Sequence, residues 1–150
     1  MERKGARGFT LIELLITVCI LGIISAIAIP NLLNAIDRSK QKSTMGEMRS
    51  IATAIESYAI DITTFPTATT MAALITAIDP MFIRDLPDED GWGYPFVVDS
   101  NGTAYTLGSQ GKDGAGGLST CSAAPKCDAL NDAIIFSNGQ FVQWPEGTQH

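Results

Sequence analysis

After Glu13 the chain carries no Asp, Glu, Lys or Arg until Asp37, a run of 23 positions. As an α-helix rising 1.5 Å per residue, that run covers about 35 Å, against about 30 Å for the hydrocarbon core of a bilayer. The apolar residues are concentrated there: 20 of the 28 residues 9–36, against 46 of the 114 residues 37–150, an ordinary share for a small soluble domain. Charge is uneven too. Residues 1–8 carry Arg3, Lys4 and Arg7 against Glu2, while the whole chain has a formal net charge of −6, leaving −8 on residues 9–150. A basic start before an apolar run predicts a cytoplasmic N-terminus and a domain on the far side of the membrane. The acidic balance disfavours nucleic acid as a partner, because phosphate binding needs clustered Lys and Arg.

Three readings of the segment compete. A cleaved secretory signal is disfavoured, because the run is longer than an ordinary h-region and Ser25-Ala26-Ile27-Ala28 is followed by more apolar residues. A plain anchor accounts for the run but not for Glu13, an ionisable residue at the edge of an apolar stretch, where such groups are costly and functional unless they snorkel to the interface. The third reading comes from the local sequence. Lys4-Gly5-Ala6-Arg7-Gly8-Phe9-Thr10-Leu11-Ile12-Glu13-Leu14-Leu15 resembles the class III signal of type IV pilin-like proteins. The resemblance implies a prepilin peptidase cut between Gly8 and Phe9, N-methylation of Phe9, and pairing of Glu13 with the terminal ammonium of Phe9 in a neighbouring subunit. Removal of two unpaired charges from an apolar filament core would favour one axial register. Gly22 and Pro30 bracket the stretch that loses helicity in related filaments, and Pro30 cannot donate to the helical ladder.

Residues 31–62 read as a continuation of the helix. Met48, Ile51, Ala52, Ile55, Tyr58, Ala59 and Ile62 form an amphipathic stripe suited to a sheet packed across it, and Phe65-Pro66 stops the helix. Arg38, Lys40 and Lys42 follow the apolar run as a solvated or inter-subunit face. A short second helix is predicted up to Ile78, capped by Thr69 or Thr70. Strands are predicted at 96–99, 103–107, 134–137 and 140–144, with Asn101-Gly102 and Asn138-Gly139 as two-residue hairpin turns. Between the hairpins lie residues 108–131, a stretch that needs a tie. Asp88, Glu89 and Asp90 read as a solvated acidic turn.

Asp90-Gly91-Trp92-Gly93-Tyr94-Pro95-Phe96, with Tyr105-Thr106-Leu107-Gly108-Ser109 and Gly111-Lys112-Asp113-Gly114, is similar to the major pseudopilins of type II secretion systems. The implied fold is α+β and pilin-like, a long N-terminal helix with an apolar first half packed on a small antiparallel sheet. The implied organisation is a leader over residues 1–8, a transmembrane and filament-core segment over 9–36, and a periplasmic domain over 37–150. The resemblance also implies calcium in the loop after the Leu-Gly motif, held by two Asp side chains and several backbone carbonyls, with Leu107 matching a carbonyl donor. Asp132 matches the second carboxylate. The position of the first carries Gln110, so that Asp113, three residues on, stands in or the site is lost. Asp128 is a further candidate, and all three acids read alternatively as solvated loop residues. Cys121 and Cys127 lie in the same loop, where a disulfide persists outside the cytoplasm and offers another tie. Cys19 reads as a packing residue in the apolar run.

No catalytic set emerges: His150, the one histidine, stands at the chain end, and the glycines at 108–117 lack the Lys-Ser/Thr ending of a phosphate loop. The expectation is a structural subunit, not an enzyme, anchored in a bacterial inner membrane. Its implied partners are lipid before assembly, other copies in a helical filament, the prepilin peptidase, an assembly platform and minor pseudopilins. A type IV pilus subunit and an anchored periplasmic enzyme or binding module are the alternatives.

Overall fold

The computed structural model describes residues 8–79, 81–118, 126–127 and 130–145. Helix α1 (Leu11–Ile62) runs unbroken through Gly22 and Pro30. The chain divides into two compact units, residues 1–36 and 37–150. In the first, every large apolar side chain from Phe9 to Ile36 is exposed. Among the described residues, α1 is the helix long and apolar enough to cross a membrane.

In the second unit α1 turns one face to a core. Met45, Met48, Ile51, Ala52, Ala54 and Ile55 are buried, while Tyr58 and Ala59 are half-buried. Ile62 departs from the predicted stripe and is exposed, because α1 ends there and the chain turns away at Thr63, which has φ +68°. The Thr63 N–H closes the helix on the Ala59 carbonyl at 2.9 Å. A β-branched residue is strained in this left-handed position, which suits glycine. Thr63→Gly should therefore raise stability by about 1 kcal/mol, after the extra unfolded-chain entropy of glycine is deducted. Thermal unfolding checks this, with a midpoint higher by about 4 °C.

The other elements are β1 (Thr67–Ala68), α2 (Met71–Ile78), β2 (Val97–Asn101), β3 (Tyr105–Ser109), β4 (Lys126–Cys127), β5 (Ile134–Ser137) and β6 (Gln140–Pro145). They form a sheet in the order β1-β2-β3-β5-β6-β4, antiparallel except where β4 joins β6 in parallel. Thus the arrangement is α+β. The two-residue strands β1 and β4 are absent from the sequence prediction because so short a run carries no periodicity. Thr70 caps α2, its hydroxyl accepting the Ala73 N–H at 3.3 Å.

Asn138-Gly139 makes the predicted turn: φ is +47° and +89°, and Ser137 pairs with Gln140. The other hairpin is displaced by one residue. The Asn101 N–H bonds the Ala104 carbonyl at 3.2 Å, so the central pair is Gly102-Thr103, with Gly102 at φ +87°. Asn101 instead uses its Oδ1 to accept the Thr103 and Ala104 N–H groups, each at 3.0 Å.

The core joins α1 to Leu74 and Ile78 of α2 and to Val98, Tyr105, Leu107, Ile134 and Phe136 of the sheet. Full burial of each Leu or Ile side chain contributes about 1.5–3 kcal/mol. Tyr105, 1% exposed, donates its hydroxyl to Glu56 Oε1 at 2.7 Å and accepts the Gly139 N–H at 3.1 Å. Burial and the Glu56 carboxylate both push the phenol up, so it stays protonated and keeps its donor role.

Candidate functional site

Gly8 and Phe9 stand exposed ahead of α1, with open space around Gly8. Residues 1–7 of the predicted leader lie outside the described residues. Thr10 caps α1 and Glu13 is its third helical residue. The Glu13 Oε2 accepts the Thr10 N–H at 3.1 Å and the Thr10 hydroxyl at 3.0 Å, while the Glu13 N–H donates to Thr10 Oγ1 at 3.3 Å. This is a reciprocal capping box, and the Thr-x-x-Glu spacing of Thr10 and Glu13 is its signal in the sequence. Glu13 thus has a partner within its own chain, at the helix end where the macrodipole favours a negative charge. Gly22 and Pro30 lie within the helix, and Cys19 is exposed on it as a free thiol.

The acidic turn requires a correction. Asp88 and Glu89 are exposed, but Asp90 is 5% exposed. Its Oδ1 accepts the Trp92 and Tyr94 N–H groups, each at 3.0 Å, and its Oδ2 accepts the Ser109 hydroxyl at 2.6 Å. Ser109 Oγ in turn accepts the Gly111 N–H at 3.2 Å. A buried carboxylate with three donors is held by charge-assisted bonds. The same turn sits on α1. Gly91 donates its N–H to Thr44 Oγ1 at 2.9 Å, and a Cβ there would stand 2.6 Å from the Lys40 carbonyl oxygen. The Asp-Gly-Trp motif therefore joins helix, sheet end and loop.

The loop after β3 is fastened at several points. Lys112 Nζ donates to Asp37 Oδ2 at 2.8 Å, with side chains 48% and 12% exposed. The Lys112 ammonium holds the Asp37 carboxyl below the usual carboxylate range. The Gln110 amide donates to the Pro95 carbonyl at 3.0 Å, and Asp113 Oδ1 accepts the Ala115 N–H at 3.0 Å. Leu107 lies in mid-strand between Val98 and Phe136, with its backbone in the sheet. Asp132 is half-buried and already engaged. Asp128 and Cys121 lie outside the described residues, as does His150, and Cys127 enters as backbone in β4. Among the described residues no three Asp, Glu, His or Cys side chains gather in one place. At the first of the implied calcium positions Gln110 brings no charge, and Asp113 Oδ1 already accepts the Ala115 N–H within its own turn.

Comparison with known proteins agrees with the two halves of this geometry. The family model described as "Prokaryotic N-terminal methylation motif" matches residues 3–29, over the capped start of α1. The one described as "Type II secretion system (T2SS), protein G" matches residues 31–124. The chain is 32% identical over 130 residues to the type II secretion system core protein G of Pseudomonas aeruginosa, covering 76% of this chain and 91% of the relative. It is 30% identical to the protein of that name from Klebsiella michiganensis, covering 78% and 91%, and 30% identical to that of Vibrio cholerae, covering 77% and 89%. No solved structure matches. A methylation-motif helix, an α+β domain and relatives aligned over most of their length place this chain in the type II secretion system protein G family.

Proposed function

We propose that this chain is a structural subunit of the type II secretion pseudopilus, not an enzyme. The observation that carries the reading is the exposed apolar face of residues 9–36 behind a capped start, on a helix whose second half builds a soluble domain. So much apolar surface needs lipid or other copies to cover it. Before assembly it sits in the inner membrane, with a cytoplasmic N-terminus and a periplasmic domain over residues 37–150. After assembly the same surface packs against neighbouring helices in the filament core, with Gly22 and Pro30 marking where α1 loosens. A type IV pilus subunit has no such support from the relatives, which are named as secretion proteins. Prepilin peptidase, assembly platform and minor pseudopilins are the partners this role requires. The proposal includes the cut between Gly8 and Phe9, N-methylation of Phe9, and a disulfide between Cys121 and Cys127.

Intact mass of the membrane-extracted protein tests the processing. The expected mass lacks residues 1–8, carries one added methyl group and, before reduction, is lighter by two hydrogens. An uncut chain would overturn the filament reading, and an unchanged mass on reduction would remove the disulfide alone.

A further inference from the structure

We infer that the loop after β3 is closed by an internal cation, the Lys112 ammonium paired with Asp37 of α1, and that this subunit folds without a divalent metal. The inference concerns the fold of the domain and stands whether or not the chain assembles into a pseudopilus.

Lys112 fastens the loop twice. Its ammonium reaches Asp37 at 2.8 Å, and its N–H donates to the Leu130 carbonyl at 3.2 Å, bringing together the two ends of the segment 112–130. Next to it Gly111, at φ +76°, packs so closely that a Cβ would lie 2.4 Å from the Asn131 carbonyl oxygen and 2.8 Å from that of Asp132. The Gly116 N–H closes on the Gln110 carbonyl at 3.0 Å, and Gly114 lies over the Tyr94 ring. The Asn131 and Asp132 carbonyls therefore face the Gly111 backbone.

Calcium needs six to eight oxygens at about 2.3–2.6 Å, with carboxylates supplying the charge. The side chains at the start of this loop offer a neutral amide, a fixed ammonium and one carboxylate already accepting from Ala115. A divalent ion beside the ammonium would be repelled by it. The Asp37 carboxylate, by contrast, is complete with a single positive charge delivered by the chain itself. The loop end thus takes from Lys112 the neutralisation and tethering that a metal would otherwise supply.

Thermal unfolding of the detergent-dispersed full chain tests this, in EGTA and in about 5 mM calcium chloride, above the range where extracellular calcium sites fill. The wild type should show one midpoint, equal within about 1 °C in the two buffers, since no ligand binds the native state. Lys112→Met should lower the midpoint by about 3 °C in both buffers, as expected for a partly exposed ion pair in a domain of this size. The exchanged pair Lys112→Asp with Asp37→Lys should recover part of that loss. A wild-type midpoint that climbs with calcium would overturn the inference, and so would a Lys112→Met midpoint equal to the wild type. Dispersed subunits report the loop alone, so a failure to form filaments leaves the result readable.

Discussion

Replacing Asp90 by Ala should sharply lower the unfolding temperature of the domain over residues 37–150. The substitution strips an acceptor from the Trp92 and Tyr94 N–H groups and from the Ser109 hydroxyl, all within a site that is 5% exposed. Hydrogen bonds to charged groups are worth about 1.5–3 kcal/mol each, and buried donors left without a partner add their own desolvation cost. These terms overlap, because the freed groups relax together, so the expected loss is about 3–5 kcal/mol, near the upper end for a point mutation. For a domain of this size that corresponds to a midpoint lower by about 15 °C. Asp90→Asn is the informative companion. Its amide oxygen still accepts from Trp92 and Tyr94 and its NH2 donates to Ser109 Oγ, so the loss should shrink to about 1–2 kcal/mol. Chemical unfolding monitored by circular dichroism checks both, and equal losses in the two variants would show that charge, not hydrogen-bond pattern, stabilises the turn.

The second large effect concerns assembly. Glu13→Ala should insert into the membrane and fold its soluble domain, yet reach the filament fraction at less than about a tenth of the wild-type level, since an unpaired charge in an apolar core costs several kcal/mol and 1.4 kcal/mol is already tenfold. Two roles are removed at once: the cap on Thr10 and the carboxylate proposed to meet a neighbour's Phe9 ammonium. Glu13→Gln separates them. Glutamine satisfies the same capping box but brings no charge. If charge pairing drives assembly, the Gln variant should fail as Ala does, measured as filament against membrane fraction in cells carrying the secretion machinery. Normal filaments from the Gln variant would assign the role of Glu13 to capping. The capping geometry also has a consequence for assembly order. The carboxylate is already satisfied in a lone subunit, so a neighbour's ammonium competes with Thr10 for it.

The legibility of these features follows from how local they are. The apolar run, the end of α1 near Ile62, a cap at Thr69 or Thr70 and the Asn138-Gly139 turn all rest on residues a few positions apart. Each is read from spacing alone. The Asn101-Gly102 turn was displaced by one residue because the Asn101 side chain captures two backbone donors, a choice the dipeptide does not announce. The acids show the limit more sharply. Asp88, Glu89 and Asp90 are alike in a sequence, yet the first two are exposed and the third is the anchor of the turn.

An apolar helix long enough to cross a bilayer, with one carboxylate near its start, follows from the order of residues alone. Length, hydropathy and the Thr10 to Glu13 spacing are properties of one continuous stretch, and no distant contact can cancel them. What fastens the loop after β3 depends on how the domain over residues 37–150 packs. Lys112 meets Asp37 across 75 positions, and Asp90 meets Ser109 across 19. Those pairings exist because the sheet and α1 bring remote backbone together, and the energy of a carboxylate depends on the donors and solvent that this packing leaves around it.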